Sequence, residues 1–98
     1  MNTFQKSDEF DVWLVNLKDQ IGKAYIALRL DRAAKGNFGD CEPIGAGVSE
    51  MRIHYGPGYR VYFTRRGSVV YLLLDGDKST QKRDIKRAIK MADELPED

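Results

Sequence analysis

The stretch Glu50-Met51-Arg52-Ile53-His54-Tyr55-Gly56-Pro57-Gly58-Tyr59-Arg60-Val61-Tyr62-Phe63-Thr64-Arg65 decides how the chain is read. Met51, Ile53 and Tyr55 alternate with Glu50, Arg52 and His54, the two-residue period of a half-exposed strand. Gly56-Pro57-Gly58 must turn the chain. In the strand that follows, Tyr59 to Arg65, Val61 and Phe63 fall on one side, with Arg60, Tyr62 and Thr64 on the other. A hairpin centred on Pro57 sets His54 opposite Arg60 and Arg52 opposite Tyr62, and facing residues on antiparallel strands share a face. The expectation is one exposed patch holding two arginines, a histidine and a tyrosine. Like charges this close repel unless an anion joins them. A phosphate fits, because arginine binds it through paired hydrogen bonds, and tyrosine or histidine can stack on an unpaired base. The plainer alternative is that Glu50 and Asp75 neutralise the arginines and the patch is ordinary surface.

Downstream, Arg66-Gly67 is a short turn, and Ser68 to Leu74 is the most apolar strand, expected at the centre of a sheet. Asp75-Gly76-Asp77-Lys78-Ser79 then leads into a last helix over about 79–94, with Ser79 as its expected N-cap. That helix is expected to bury Ile85, Ala88, Ile89 and Ala92 and to expose Lys82, Arg83, Lys86, Arg87 and Lys90. A helix N-terminus with a lysine beside it attracts anions, so Lys78 adds a third cation to the same end of the sheet.

Upstream, Cys41 to Ala46 is a weak strand, spoiled by Pro43 and Gly45 and therefore placed at an edge or bulged. The sheet thus occupies about 41–75, and a helical hairpin about 7–36. The first helix starts at Ser7 or Asp8 with acids in its opening turn, and carries Phe10, Trp13, Leu14, Leu17 and Ile21 at helical spacing until Gly22 interrupts it. The second runs from about Lys23 to Lys35, with Tyr25, Ile26, Leu28, Leu30, Ala33 and Ala34 as a broad apolar face. Gly36 stops it, and Asn37-Phe38-Gly39-Asp40 reads as a turn. Residues 3–6 are at best an edge strand. The expected class is α+β, one domain over residues 1–98. It has a mainly antiparallel sheet of four to five strands, two N-terminal helices and one C-terminal helix.

A formal net charge of +1 hides a strong asymmetry. Residues 49–90 hold ten Lys/Arg against four acids, a balance of +6, and the remainder stands at −5. A cationic half can attract polyanions without the chain being basic overall. No apolar run is long enough to span a bilayer, and the first residues lack the apolar core of a secretory signal. With one cysteine and one histidine there is no zinc-site spacing. The expectation is a reduced, cytoplasmic protein with no metal, no cofactor and no membrane partner.

No carboxylate pair, Ser/His/Asp arrangement, P-loop or dinucleotide fingerprint is present. Hydrolytic chemistry would therefore fall to Arg, Lys, His and Tyr. RNA allows this, because its own 2′-OH can attack the neighbouring phosphate. The protein must align that hydroxyl, take its proton, stabilise the crowded phosphorane and protonate the leaving 5′-oxygen. Arginines suit the charge stabilisation. His54, or a lysine whose pKa is lowered by nearby arginines, could be the base.

The run from Gly47 to Phe63 resembles the hallmark segment of the HigB-like addiction module killer group in the RelE/ParE superfamily. Gly76-Asp77-Lys78-Ser79-Thr80-Gln81-Lys82-Arg83-Asp84-Ile85 resembles that group's second segment. The opening Phe10-x-x-Trp13-Leu14-x-x-Leu17 and the Gly36–Asp40 turn fit as well. The resemblance implies a RelE-like fold and the toxin role in a type II toxin–antitoxin module, a metal-independent endoribonuclease that cuts mRNA in the ribosomal A site. It also implies a helix-turn-helix, HigA-like antitoxin that neutralises the toxin and carries it to operator DNA. Arg52, Arg60 and Lys78 match the family's catalytic cations, and His54 joins them. Tyr62, Lys82 and Arg83 are the expected RNA contacts. The tyrosine that RelE-type enzymes often carry in the last helix has no counterpart in Gln81-Lys82-Arg83-Asp84. Two other readings stay open on this fold: a ParE-like inhibitor of DNA gyrase that acts by binding, and an inactive module that only binds an antitoxin.

Overall fold

The computed structural model describes residues 1–96. The chain runs β1 (Thr3–Lys6), α1 (Asp8–Asn16), α2 (Gln20–Ala34), β2 (Cys41–Gly45), β3 (Val48–Ile53), β4 (Tyr59–Arg66), β5 (Val69–Gly76), a short 3₁₀ turn (Lys78–Thr80) and α3 (Gln81–Asp93). The five strands form one sheet in the order β1-β5-β4-β3-β2. All neighbours are antiparallel except β1, which pairs parallel with β5. This is the expected α+β architecture, compatible with a RelE-like fold, with all five strands present.

The helices cover both faces of the sheet. On one face Phe10 of α1 and Ile26, Leu30 and Ala33 of α2 pack with Met51, Ile53, Tyr59, Val61, Phe63, Val70 and Leu72. On the other, Ala88 and Ala92 of α3 pack with Val48, Tyr62, Leu73 and Leu74. The middle strand is therefore β4, buried without a break from Tyr59 to Thr64. The more apolar β5, expected at the centre, lies one place away. A strand sandwiched between helical layers is buried on both sides, whatever its alternation suggests.

The helix boundaries also move. Ser7 caps α1 as expected, its hydroxyl accepting from Phe10 N and donating to Leu73 O. The break between the helices falls at Leu17–Asp19, before Gly22 rather than at it. Asp19 supplies a new N-cap: its carboxylate accepts from Gly22 N at 2.9 Å and from the Tyr59 hydroxyl at 2.6 Å. Gly22 sits inside α2 for a packing reason, because a Cβ there would lie 2.5 Å from the Tyr59 ring. Ile21 consequently points away from the core, with Tyr25 and Leu28. At the other end Asp77, not Ser79, caps the turn into the last helix, accepting from Ser79 N at 2.8 Å. No helix among the described residues is long and apolar enough to cross a membrane.

Candidate functional site

The β3–β4 hairpin pairs Arg52 with Arg60, Glu50 with Tyr62 and Ile53 with Tyr59. Its centre is Gly56, one residue before the expected Pro57, so every facing partner shifts by two while each side chain keeps its side of the sheet. His54 lies beyond the strand, in the turn. The turn is pinned at its base, where Gly58 N donates to Tyr55 O and Lys78 N to Pro57 O. The result is a cleft of about 410 Å³ at the end of the sheet, lined by Arg52, His54, Tyr55, the Gly56–Gly58 turn, Arg60 and Lys78. The four residues expected to carry the chemistry thus meet in one place.

Tyr62 does not join them. It is fully buried beneath α3, so the exposed aromatic expected on this face is absent. Its hydroxyl has no hydrogen-bond partner among the described residues. Burial, then the Glu50 and Asp84 carboxylates, pushes its pKa up. Lys82 and Arg83 are exposed on α3, and neither lines the cleft. Tyr55 is the aromatic at the cleft, stacked on Tyr25 at 4.7 Å between ring centroids.

The cations in the cleft are not bare. Arg52 donates through Nη2 to Asp40 Oδ1 at 2.9 Å, and its Nη1 lies 3.0 Å from Glu42 Oε2. Asp40 also holds the imidazole, with Oδ2 2.5 Å from His54 Nε2. Hydrogen bonds from Arg52 and His54 lower the Asp40 pKa to about 2, so this carboxylate stays ionised at any physiological pH. With Nε2 engaged, Nδ1 is the imidazole nitrogen left for a ligand.

Asp40 is held in turn by Arg29 of α2. The Arg29 guanidinium donates to the carbonyls of Arg52 (2.5 Å), Phe38 (3.0 Å) and Asp40 (3.2 Å). The loop that accepts these bonds passes through Gly39 at φ +65°, where a Cβ would lie 2.7 Å from Arg29 Nη2. A side chain at Gly39 would meet both backbone strain and the guanidinium. Arg29→Ala is expected to cost about 2 kcal/mol of stability through these lost charge-assisted bonds. In a domain of this size that is a fall in Tm of roughly 10 °C, measurable by thermal denaturation. An unchanged Tm would show that the loop is held by other contacts.

Arg60 sits deeper, with a side chain one-tenth exposed. Its Nε lies 3.6 Å from Glu50 Oε1 and has no hydrogen-bond partner among the described residues. Glu50, 3% exposed, is fixed by Gln81 of α3, whose Nε2 donates to both carboxylate oxygens at 3.1 and 2.9 Å. Arg60 is therefore set from below and leaves donors toward the cleft, rather than standing on an open sheet face. No carboxylate lies within ion-pair distance of Lys78 among the described residues.

The proposed neutralisation by Glu50 and Asp75 is half met. Glu50 does pair with Arg60. Asp75 faces Val61, on the α1 side of the sheet and away from both arginines. It is 3% exposed, and neither of its carboxyl oxygens has a hydrogen-bond partner among the described residues. Burial, with lesser contributions from Asp11 and Asp84, pushes its pKa up to about 8.

Asp40, Glu42, Gln81 and Arg29 were not singled out by sequence reasoning. A signal for Asp40 existed. Once β2 pairs with β3 as Cys41 with Met51, the residue before Cys41 falls beside Arg52. Arg29 and Gln81 had no such signal, because both arrive from helices.

Two similarities bear on what such a cleft is for. A protein of Haemophilus influenzae described only as uncharacterized is 49% identical over 87 residues, covering 88% of each chain. The family described as phage derived protein Gp49-like (DUF891) matches residues 8–96, which takes in both helical layers and every residue of the cleft. The chain belongs to this Gp49-like family, a family of RelE/HigB-like toxin type.

Proposed function

We propose that the protein is the toxin of a type II toxin–antitoxin module, and that it cuts mRNA on the translating ribosome by in-line attack of an RNA 2′-OH. The observation that carries this reading is the convergence of Arg52, His54, Arg60 and Lys78 around one cleft. Family membership supports the toxin part.

Each group has a chemical task. Arg60 and Lys78 bind the scissile phosphate and stabilise the charge that builds on the phosphorane, and the Lys78 ammonium gives a proton to the leaving 5′-oxygen as the P–O5′ bond breaks. Arg60 offers a planar fork of donors and Lys78 a mobile point charge. Asp40 fixes the His54 ring, and His54 Nδ1 takes the proton of the 2′-OH. Arg52, bound to the same carboxylate, keeps Asp40 in place and is a positioning residue in this scheme. Tyr55, and not Tyr62, offers an aromatic edge to a base beside the scissile bond. Lys82 and Arg83, exposed at the start of α3, add long-range attraction for a polyanion. The partners follow from the module: a HigA-like helix-turn-helix antitoxin, operator DNA reached through it, and the ribosomal A site as the place of cutting.

Loss of a general base lowers a rate by about 10²–10⁴-fold. His54→Ala is therefore expected to reduce cleavage by that factor in a cell-free translation reaction read by primer extension, with protein level and Tm unchanged. His54 is exposed, so the fold does not depend on it. Undiminished cleavage by the variant would remove His54 from the mechanism. Intact transcripts with the wild-type protein, together with inhibited DNA supercoiling, would replace the nuclease reading with gyrase inhibition.

A further inference from the structure

A second cavity lies on the other side of the Pro57 turn. It is a groove of about 1010 Å³ between α1 and the start of α3, and Pro57 is a wall of both cavities. Its apolar lining comes from Val12, Trp13, Leu17 and Leu74, and Asp75 also lines it. Neither the phosphate chemistry nor the core packing described above uses this carboxyl.

We propose that the groove receives the side chain of an arginine or lysine carried by a partner polypeptide, with the cation at the Asp75 carboxyl and its aliphatic stem along the apolar wall.

Three features point to this occupant. Both Asp75 oxygens are unpartnered and closed to solvent, a cost that a donor-rich cation recovers once the side chain turns to the groove that Asp75 lines. Long cationic side chains bury their methylene stems against apolar surface while the head finds a polar partner, and the mixed lining matches that shape. The local charge has the same sense even with Asp75 neutral: Asp8, Glu9, Asp77 and Asp84 line the groove against Lys18, Arg83 and Arg87. Arg87 is already tied to Glu9, and Arg83 Nε lies 3.7 Å from Asp84. A nucleic-acid phosphate would meet repulsion here, in contrast to the cleft across the turn.

The backbone argues for a polypeptide over a free amine. Strand β1 pairs with β5 only as far as Leu72, although β5 continues to Gly76. Past the Ser7 contacts at Leu72 and Leu73, no strand among the described residues pairs with that edge of β5. An extended segment laid there would gain main-chain hydrogen bonds as it delivers its side chain. The inference is independent of the RNA reading, because neither Asp75 nor the apolar wall is assigned to RNA.

The test is an NMR titration of the full chain, following the Trp13 indole N–H and the Gly76 amide. The probes are n-butylguanidinium, 1-pentanol, the blocked peptide Ac-Leu-Arg-Leu-NH₂ and a mononucleotide. Butylguanidinium is expected to shift both signals saturably, and the peptide to bind about tenfold tighter through one or two added backbone hydrogen bonds. Asp75→Asn should weaken both by about tenfold or more. Pentanol, read on the unaltered protein, should bind far more weakly than butylguanidinium, which isolates the role of charge without any variant. The inference is overturned by an absent response to the cation, by equal binding of alcohol and cation, or by a mononucleotide outcompeting the cation in the groove. A peptide no tighter than butylguanidinium would overturn the choice of a polypeptide.

Discussion

Arg60→Lys is expected to lower mRNA cleavage by about 10²-fold or more while leaving the protein folded, because it removes one preorganised donor set from the developing phosphorane. Lysine keeps a positive charge above the buried Glu50, so the Glu50–Gln81 pair stays compensated. It lacks the planar fork that meets two phosphate oxygens at once. Arg60→Ala is a poorer probe in this fold. Glu50 is 3% exposed, and stripping its cation breaks a buried pair, at a cost of about 3–5 kcal/mol. Lost activity in the alanine variant would therefore mix chemistry with unfolding. The lysine variant separates them, provided that primer extension on translated mRNA is read beside a thermal melt. Full activity at a wild-type Tm would remove Arg60 from the phosphate site.

The second large effect concerns stability. The Asp75 carboxyl has a folded pKa of about 8, against about 4 for an aspartate in an unfolded chain. Between these values the folded protein holds a proton that the unfolded chain has released. The favourable burial of the neutral acid is complete below pH about 4 and is lost progressively as pH rises to about 8. Each pH unit in that window costs about 1.4 kcal/mol. Asp75→Asn carries no such penalty, so it is expected to be more stable than the parent by up to about 5 kcal/mol at pH about 8. The advantage should shrink towards zero near pH 4. Urea unfolding of both proteins across this range measures the difference, and a gap independent of pH would show that Asp75 is not the group responsible. The Asp40 pKa, lowered to about 2, has the opposite sense: its contribution is present above pH about 4 and disappears in acid, equally in both proteins. Taken with the groove, the expected trade is a chain that gains stability and loses a binding contact, a common pattern where a site holds an uncompensated group.

Local pattern was enough to find the cleft. Arg52, His54, Arg60 and Lys78 lie within two short runs joined by one strand, and the glycines of the turn and the two-residue period bring them to the same end of the sheet. Long-range packing was not legible. The alternation through β4 sorted Tyr62 from Val61 and Phe63 correctly, but it could not show that α3 covers the Tyr62 side. A strand buried on both faces and one exposed on one face can carry the same residues. The one-residue error in the hairpin centre had a mild consequence, because a two-residue change of partner preserves the face. Gly22 was read as a breaker when its role is to admit the Tyr59 ring, and the break itself is set by the Asp19 cap. Asp75, offered with Glu50 as the alternative counter-ion for the arginines, is turned by the pleat to the opposite side. Besides Glu50, the acids that meet the cleft's cations are Asp40 and Glu42, and these come from the weakest strand and its approach, where sequence pattern has least to say.

The central claim is that this cleft cuts RNA through its own 2′-OH, and the ends of the cut are its most direct record. The measurement is to map the fragments made when the purified protein is added to a translating extract, and to determine their terminal chemistry. The account predicts upstream fragments ending in a 2′,3′-cyclic phosphate, downstream fragments beginning with a 5′-hydroxyl, and no cutting by the His54→Ala variant above its reduced rate. Uncut transcripts, or downstream fragments beginning with a 5′-phosphate, would contradict it.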